Sequence, residues 1–317
     1  MVIEKPLRAV DELLLSVTES SVPLLAQTSA HILSAGGKRL RPRLVLLSHA
    51  AAGGTNVDDV IPLAAAVEIV HTATLVHDDI NDDGTLRRGR ETINSRWGAT
   101  FALLTGDFLF AKTYEIMAPY SRELNQILAR ASRELVEGET LQIKAAKDGK
   151  IDQTTYLEII SKKTASLFMA CAELGATAAQ ASPAWIDALR NYAFNLGLAF
   201  QIIDDVLDLV ADSGQLGKNA GVDMAQGRGI SVITDRSDAG GAAVAQSAPM
   251  TIKQDTAPGP FKEGLLQGHS IEKAIQKGYE TAAEFAHQAL ESLSVLPESA
   301  ALDELRALAR IVIERDH

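Results

Sequence analysis

Little in this chain could crosslink it, carry it through a membrane or hold it to nucleic acid. Its one cysteine, Cys171, excludes an internal disulfide and a thiolate metal site, and fits a reducing, cytoplasmic setting. Aromatic residues make up only 5% of the sequence although 46% is hydrophobic. With alanine and leucine abundant, that balance favours helices over the Val-, Thr- and aromatic-rich strands of a sandwich. Basic charge is also short: the net charge is −11 at pH 7, so the footprint of a general nucleic-acid binder is missing. The first residues, Met1 to Arg8, contain no run suited to a signal peptide. Elsewhere charge is expected to interrupt every apolar stretch before the ~20 residues of a membrane span, leaving a soluble chain with no transmembrane segment. Strand-rich regions, heptad arrays and internal repeats are likewise absent. At 317 residues the length suits a single domain over 1–317, with flexible loops expected at about 212–229 and 235–260, where glycine, serine and proline gather.

What is present is acid in an unusual place. Val60, Leu63, Val67, Val70 and Thr74 step by threes and fours, which predicts a helix whose next position on that face is Asp78, with Asp82 one turn on. Carboxylates at that spacing repel, and Asp79 and Asp83 crowd the same end, so the arrangement asks for a cation. Oxygen donors without a cysteine cluster suit Mg²⁺, which joins carboxylates to phosphate oxygens. Arg87, Arg88 and Arg90 follow directly. Guanidinium groups grip phosphate bidentately, so the stretch reads as a diphosphate site. One acidic run alone would equally suit a solvated helix end. A second copy, Asp204, Asp205 and Asp208, lies inside the apolar run 197–209, where three acids need partners that solvent does not supply. Two facing clusters would clamp shared metal ions around one diphosphate and stabilise charge on a leaving group. An EF-hand is excluded, because its twelfth position would be Arg90 where a bidentate Glu is required.

Gly36-Gly37-Lys38-Arg39-Leu40-Arg41-Pro42-Arg43 leads into an apolar helix from Leu44 to Ala52, with close backbone approach and four cations at a helix start, and reads as a second anion site. Helices are also expected over 7–34 with a break near Pro23, over the acidic segment with Asp58 or Asp59 as its cap, and from Trp97 to Met117. Others follow over 121–146, where Glu134, Glu137 and Glu139 read as a polar face, and over 152–178, which carries Lys162-Lys163-Thr164. The last are expected over 184–210, from an N-cap at Ser270, and from Ala300 to Glu314.

Taken in order, Gly-Gly-Lys-Arg-x-Arg-Pro at 36–42, Asp-Asp-x-x-Asp with Leu-Arg-Arg-Gly at 78–89, Lys163-Thr164, and Phe-Gln-Ile-Ile-Asp-Asp-Val-Leu-Asp at 200–208 resemble the trans-isoprenyl diphosphate synthases of the polyprenyl synthetase family over about residues 34–229. The resemblance implies an all-α bundle of the isoprenoid synthase type around a deep central cavity, working as a homodimer with two or three Mg²⁺ ions. Asp78, Asp79, Asp82, Asp204, Asp205 and Asp208 would then hold metal on an allylic diphosphate, farnesyl or geranylgeranyl, whose oxygens meet Arg87, Lys163 and Lys218. Lys38, Arg41, His71 and Arg88 would hold isopentenyl diphosphate, with Thr164 and Gln201 near the reacting carbons. The implied reaction is ionisation, attack by the isopentenyl double bond, and loss of a proton to the departing diphosphate.

The resemblance also places Val70, Ala73 and Thr74 where such enzymes limit chain length. With no aromatic there, a long all-trans product is expected, hexaprenyl or longer. The alternative is a farnesyl or geranylgeranyl product, for instance if Phe110 or Tyr114 closes the tunnel lower down. A terpene cyclase would have no use for the cations at 38–41 and 87–88, and a non-catalytic subunit of a heteromeric synthase would be expected to lose acids that are all present here. The chain departs from the family pattern at Asn219, where proline is common, and at Gly229-Ile230-Ser231-Val232.

Overall fold

The computed structural model describes residues 3–149, 152–214 and 268–314. It is all-α, as the composition predicts. The helices are α1 (Glu4–Ser16), α2 (Pro23–Leu33), α3 (Leu40–Ala51), α4 (Ile61–Asn81), α5 (Ile93–Trp97), α6 (Ala99–Met117), α7 (Arg122–Asp148), α8 (Gln153–Ile160), α9 (Ser166–Ala178), α10 (Pro183–Gly214), α11 (Gly268–Ser292) and α12 (Ala300–Ile313). Both expected loops, Lys218 and Asn219 fall outside the described residues, apart from the end of α10.

The central helix is α4. Leu63, Ala64, Ala65, Ala66, Val67, Ile69 and Ala73 are fully enclosed, so the stripe visible in the sequence is part of a helix buried on every side. Its alanines let neighbours approach closely. α6 packs along it, α3 packs on α9, and α10 lies between α9 and α11. The buried apolar side chains form one contiguous cluster from α1 to α12. This burial corrects one expectation. The helical stretch Val57–Asn81 is long and apolar enough to cross a membrane, but 67% of its most apolar window is buried inside the protein. Glu68, the one acid between Val60 and His77, is ion-paired with Arg39 at 2.8 Å.

Two boundaries also differ from expectation. Asp58 and Asp59 do not cap α4: they lie in a 3₁₀ turn, Val57–Asp59, and the helix begins after Val60 with a proline in its first turn and no side-chain cap. The segment Trp97 to Met117 breaks at Gly98, whose φ of 91° ends α5 before α6 begins. Between α4 and α5 lies a hairpin, β1 (Leu86–Arg87) and β2 (Arg90–Glu91). Its two turn residues, Arg88 and Gly89, have φ of 52° and 74°, the pattern of a type I′ turn.

α8 and α9 are joined by a π-helical turn, Ser161–Ala165. Such turns widen a helix by one residue and recur at functional sites. Glycine on either side lets two helices touch its backbone: a Cβ at Gly138 of α7 would lie 2.5 Å from the Lys163 nitrogen, and one at Gly197 of α10 would lie 2.7 Å from the Ala165 Cα. Gly197→Ala should therefore force α10 off the π turn, at a cost of about 1–3 kcal/mol. Thermal melting checks this, and an unchanged Tm would show that the contact is not a constraint.

Candidate active site

The α3 entry loop, the last turns of α4, the hairpin, the π turn and α10 enclose a cavity of about 610 Å³. One wall is cationic. Gly36 and Gly37 have positive φ, and a Cβ at Gly37 would lie 2.8 Å from the Arg88 guanidinium, which donates to the Gly36 carbonyl. The hairpin is thereby tied to the loop that carries Lys38. Arg41 lies over the Phe168 ring at 5.0 Å, and its buried Nε has no hydrogen-bond partner. A buried guanidinium donor left unpaired beside a cavity is a site for an anion. His71 lines the same wall. Burial, and then Arg41 and its neighbouring arginines, hold its pKa well below the usual value, so it serves as a neutral hydrogen-bonding group.

Arg39 does not join this wall as a free cation. In a left-handed conformation at φ 50°, it donates from Nε to Asp11 at 2.9 Å and from Nη1 to Glu68 at 2.8 Å. It is a strut between α1 and α4, and the loop on each side of it presents Lys38 and Arg41 to the cavity.

Acids line the same cavity. Asp78 and Asp204 line the cavity. Burial pushes the Asp78 carboxyl up to about 6, with Lys163 opposing and Glu139 and Asp82 adding to the rise. The other predicted acids are placed differently. Asp79 is buried and accepts from Arg87 Nε at 2.8 Å and Nη2 at 2.7 Å. That bidentate pair anchors the hairpin and redirects both residues: Asp79 is engaged away from the cavity, and Arg87, which lines it, reaches it already paired. Asp205 accepts from Tyr156 and Gln201. Asp82 and Asp208 stand one turn beyond Asp78 and Asp204, half-buried and exposed respectively.

Among the described residues, no three His, Cys, Asp or Glu side chains are gathered closely enough to hold a metal ion by themselves. The donor chemistry nevertheless fits a hard divalent cation. Carboxylates from two helices face one cavity, and Asp78 is crowded by like charge that a cation would relieve.

The π turn supplies the third wall. Lys163 is ion-paired with Glu139, donates to Gln142 Oε1 at 3.1 Å, and lies 3.9 Å from Asp78. Thr164 donates to Gln201 at 2.7 Å. Glu139 thus belongs to the site, whereas the sequence reading gives it to a polar face. The signal was available: Leu135 lines the cavity, and Glu139 follows one helical turn later. Tyr156, also unassigned by sequence, is buried, and burial together with Asp205 raises its pKa well above the usual value, keeping it a donor.

Of the three chain-length candidates, Thr74 lines the first cavity. Val70, one turn away, lines a second cavity of about 620 Å³ between α4, α6 and α7, which Phe110 and Tyr114 also border. Ala73 is enclosed in helix packing. It points about 100° away from Thr74 around α4.

The sequence matches the family model described as polyprenyl synthetase over residues 22–239. It is 36% identical, over 97% of this chain and 94% of the relative, to an all-trans-nonaprenyl-diphosphate synthase (geranyl-diphosphate specific) of Rhodobacter capsulatus. Among solved structures it resembles a polyprenyl synthase from Caulobacter crescentus complexed with calcium and isoprenyl diphosphate, with a TM-score of 0.83 and 35% identity over 99% of this chain and 96% of that one. It also resembles a geranylgeranyl pyrophosphate synthetase from Pyrococcus horikoshii, with a TM-score of 0.85 and 32% identity over 99% and 98%.

The raised Asp78 pKa has a consequence for stability. Folded and unfolded chains are both protonated at Asp78 well below pH 4, and the folded state loses that advantage as pH rises through about 6. In a chelator at pH 7.5, Asp78→Asn should therefore melt above the unsubstituted protein, the gap closing toward pH 4, while losing condensation activity. A lower Tm at pH 7.5 would contradict the stated charge balance.

Proposed function

The chain belongs to the polyprenyl synthetase family and is a trans-prenyltransferase of the prenyl diphosphate synthase type; on that premise we propose that it is Mg²⁺-dependent, homodimeric and cytoplasmic, and makes a long all-trans polyprenyl diphosphate. The observation that carries the reading is one cavity lined by both cations and acids, with an orphaned buried donor on Arg41 among the cations. Lys38, Arg41, His71 and Arg88 hold isopentenyl diphosphate by charge and hydrogen bonds alone. Asp78 and Asp204, with Asp82 and Asp208 a turn beyond, hold metal on the allylic diphosphate, farnesyl or geranylgeranyl, beside Lys163 and, outside the described residues, Lys218. Mg²⁺ supplies charge stabilisation for the leaving diphosphate, and it commonly needs only one or two carboxylates with water and phosphate completing its shell. The calcium in the related Caulobacter structure supports a divalent ion. Asp79 and Asp205 serve the metal only if their present partners yield.

The allylic C1–O bond breaks and its electron pair leaves with diphosphate, producing an allylic cation beside Thr164 and Gln201. The isopentenyl double bond attacks C1 to form the new carbon–carbon bond, and the departed diphosphate takes the proton whose loss restores a double bond. Electrostatic stabilisation of the charges that develop is the principal catalytic contribution.

Product length follows from the step between the cavities. Thr74 lines the first and Val70 the second, with no aromatic between them, so a growing chain passes along α4 into the second space. The reading of a short product rests on Phe110 and Tyr114, which border that second space. The homodimer is supported by α6, which exposes Phe101, Leu103, Leu104 and Tyr114, an apolar surface of the kind that marks an interface. The cytoplasmic setting is supported by the free, buried Cys171 thiol.

Incubation with farnesyl and excess isopentenyl diphosphates, followed by dephosphorylation and separation of the alcohols, should give hexaprenol or longer, and Thr74→Phe should shorten it. Geranylgeraniol alone from the unsubstituted protein, lengthening in Tyr114→Ala, would establish the short-product reading in its place.

A further inference from the structure

The wall formed by the π turn and α10 carries a line of hydrogen bonds whose direction follows from chemistry. Asp205 Oδ2 lies 2.5 Å from the Tyr156 hydroxyl, and Oδ1 lies 3.1 Å from the Gln201 amide nitrogen. A carboxylate accepts and does not donate, so Tyr156 and the Gln201 NH₂ are the donors. With its nitrogen committed to Asp205, Gln201 turns its carbonyl Oε1 to Thr164, 2.7 Å from Oγ1. That oxygen can only accept, so Thr164 must spend its single hydrogen there. The side of the Thr164 hydroxyl left for the cavity therefore carries lone pairs. If the amide were reversed, its carbonyl oxygen would oppose the Asp205 carboxylate, and the Thr164 hydrogen would be free to face the cavity.

The geometry extends to the backbone. Thr164 sits in the π turn, and Gly197 brings α10 against Ala165, so Gln201, one turn after Gly197, meets Thr164 at a fixed register. Thr164 and Gln201 both line the cavity, whereas Tyr156 is 4% exposed and packed in the core cluster behind them.

We propose that Tyr156 and Asp205 are positioning residues that fix the polarity of this line, so that Thr164 and Gln201 present oxygen lone pairs, and not hydrogens, to the allylic carbon as positive charge develops on it. This rests on the reading that condensation passes through an allylic cation at this wall. Tyr156 contributes by donating to the second oxygen of Asp205, so that losing it loosens the carboxylate's hold on the Gln201 amide.

The test is single-turnover condensation of farnesyl and isopentenyl diphosphates by the full-length protein and its Tyr156→Phe, Asp205→Asn, Thr164→Val and Tyr156→Phe/Thr164→Val variants, with Mg²⁺ titrations and thermal melts alongside. Asn at 205 can present a donor to Gln201 and so permits the reversed amide while keeping the shape of the side chain. Tyr156→Phe should lower the rate roughly 10- to 100-fold, the usual range for a supporting partner behind a reacting group, with KM for both substrates and the Mg²⁺ midpoint unchanged. In the Thr164→Val background the same change should cost less than about 2-fold, because the oxygen it orients is gone. The proposal is overturned by independent, multiplying effects, by a Tyr156→Phe rate equal to the unsubstituted one, or by excess Mg²⁺ restoring that rate, which would mean that Tyr156 acts through the metal. If Tyr156→Phe fails to fold, Asp205→Asn decides by the same criteria. Failure of the unsubstituted protein to condense the two substrates would instead overturn the reading of its function.

Discussion

Carboxylates held close together at the end of a buried helix repel one another, and the negative end of the helix dipole adds to the cost. In this protein that unfavourable charge is set across a cavity from an excess of cation. Asp78 and Asp204 share one cavity with Lys38, Arg41 and Arg88, and beside them Glu68 is tied to Arg39. Neither wall is neutralised by its own side chains: Asp78 is pushed toward its protonated form, and Arg41 keeps an unpaired donor. On the proposed reading two diphosphates would supply what the walls lack: divalent metal on the allylic diphosphate would meet the acids, and the oxygens of isopentenyl diphosphate would meet the cations.

The packing that holds the walls apart depends on a few places where a side chain would not fit. Gly37 makes room for Arg88, while Gly138 and Gly197 let α7 and α10 close on the π turn from two sides. Lys163 and Thr164 are adjacent in sequence. In the turn, Lys163 meets Glu139, Gln142 and Asp78, whereas Thr164 meets Gln201. One element thereby serves both the charged and the carbon-facing parts of the reaction.

Much of this was legible in the sequence, because the acidic motifs, the Gly-Gly-Lys-Arg loop and the arginine pair are local patterns whose chemistry depends on residue type and spacing. The all-α fold was legible from composition and periodicity. What escaped depends on contacts between distant segments. Arg39 reads as one of four cations until Asp11 and Glu68, far away in the chain, are seen to hold it. Asp79 and Arg87, read as metal and phosphate ligands, are also paired with each other where the hairpin folds back, a contact that spacing alone does not reveal. Ala73 and Thr74 read as one tunnel floor; Thr74 lines the first cavity, and Ala73 is fully buried beside it. Glu139 was within reach of helical periodicity, had Leu135 been known to border a cavity.

The central proposal is that the acids of the cavity bind a diphosphate only together with a divalent metal. Calorimetry of the full-length protein with inorganic diphosphate and Mg²⁺, each alone and then both together, tests it most directly. Weak binding of either alone and tight binding of the pair is the predicted result, with the coupling reduced when Asp78 or Asp204 is replaced by Asn. Diphosphate binding of equal strength with and without Mg²⁺ would contradict the claim.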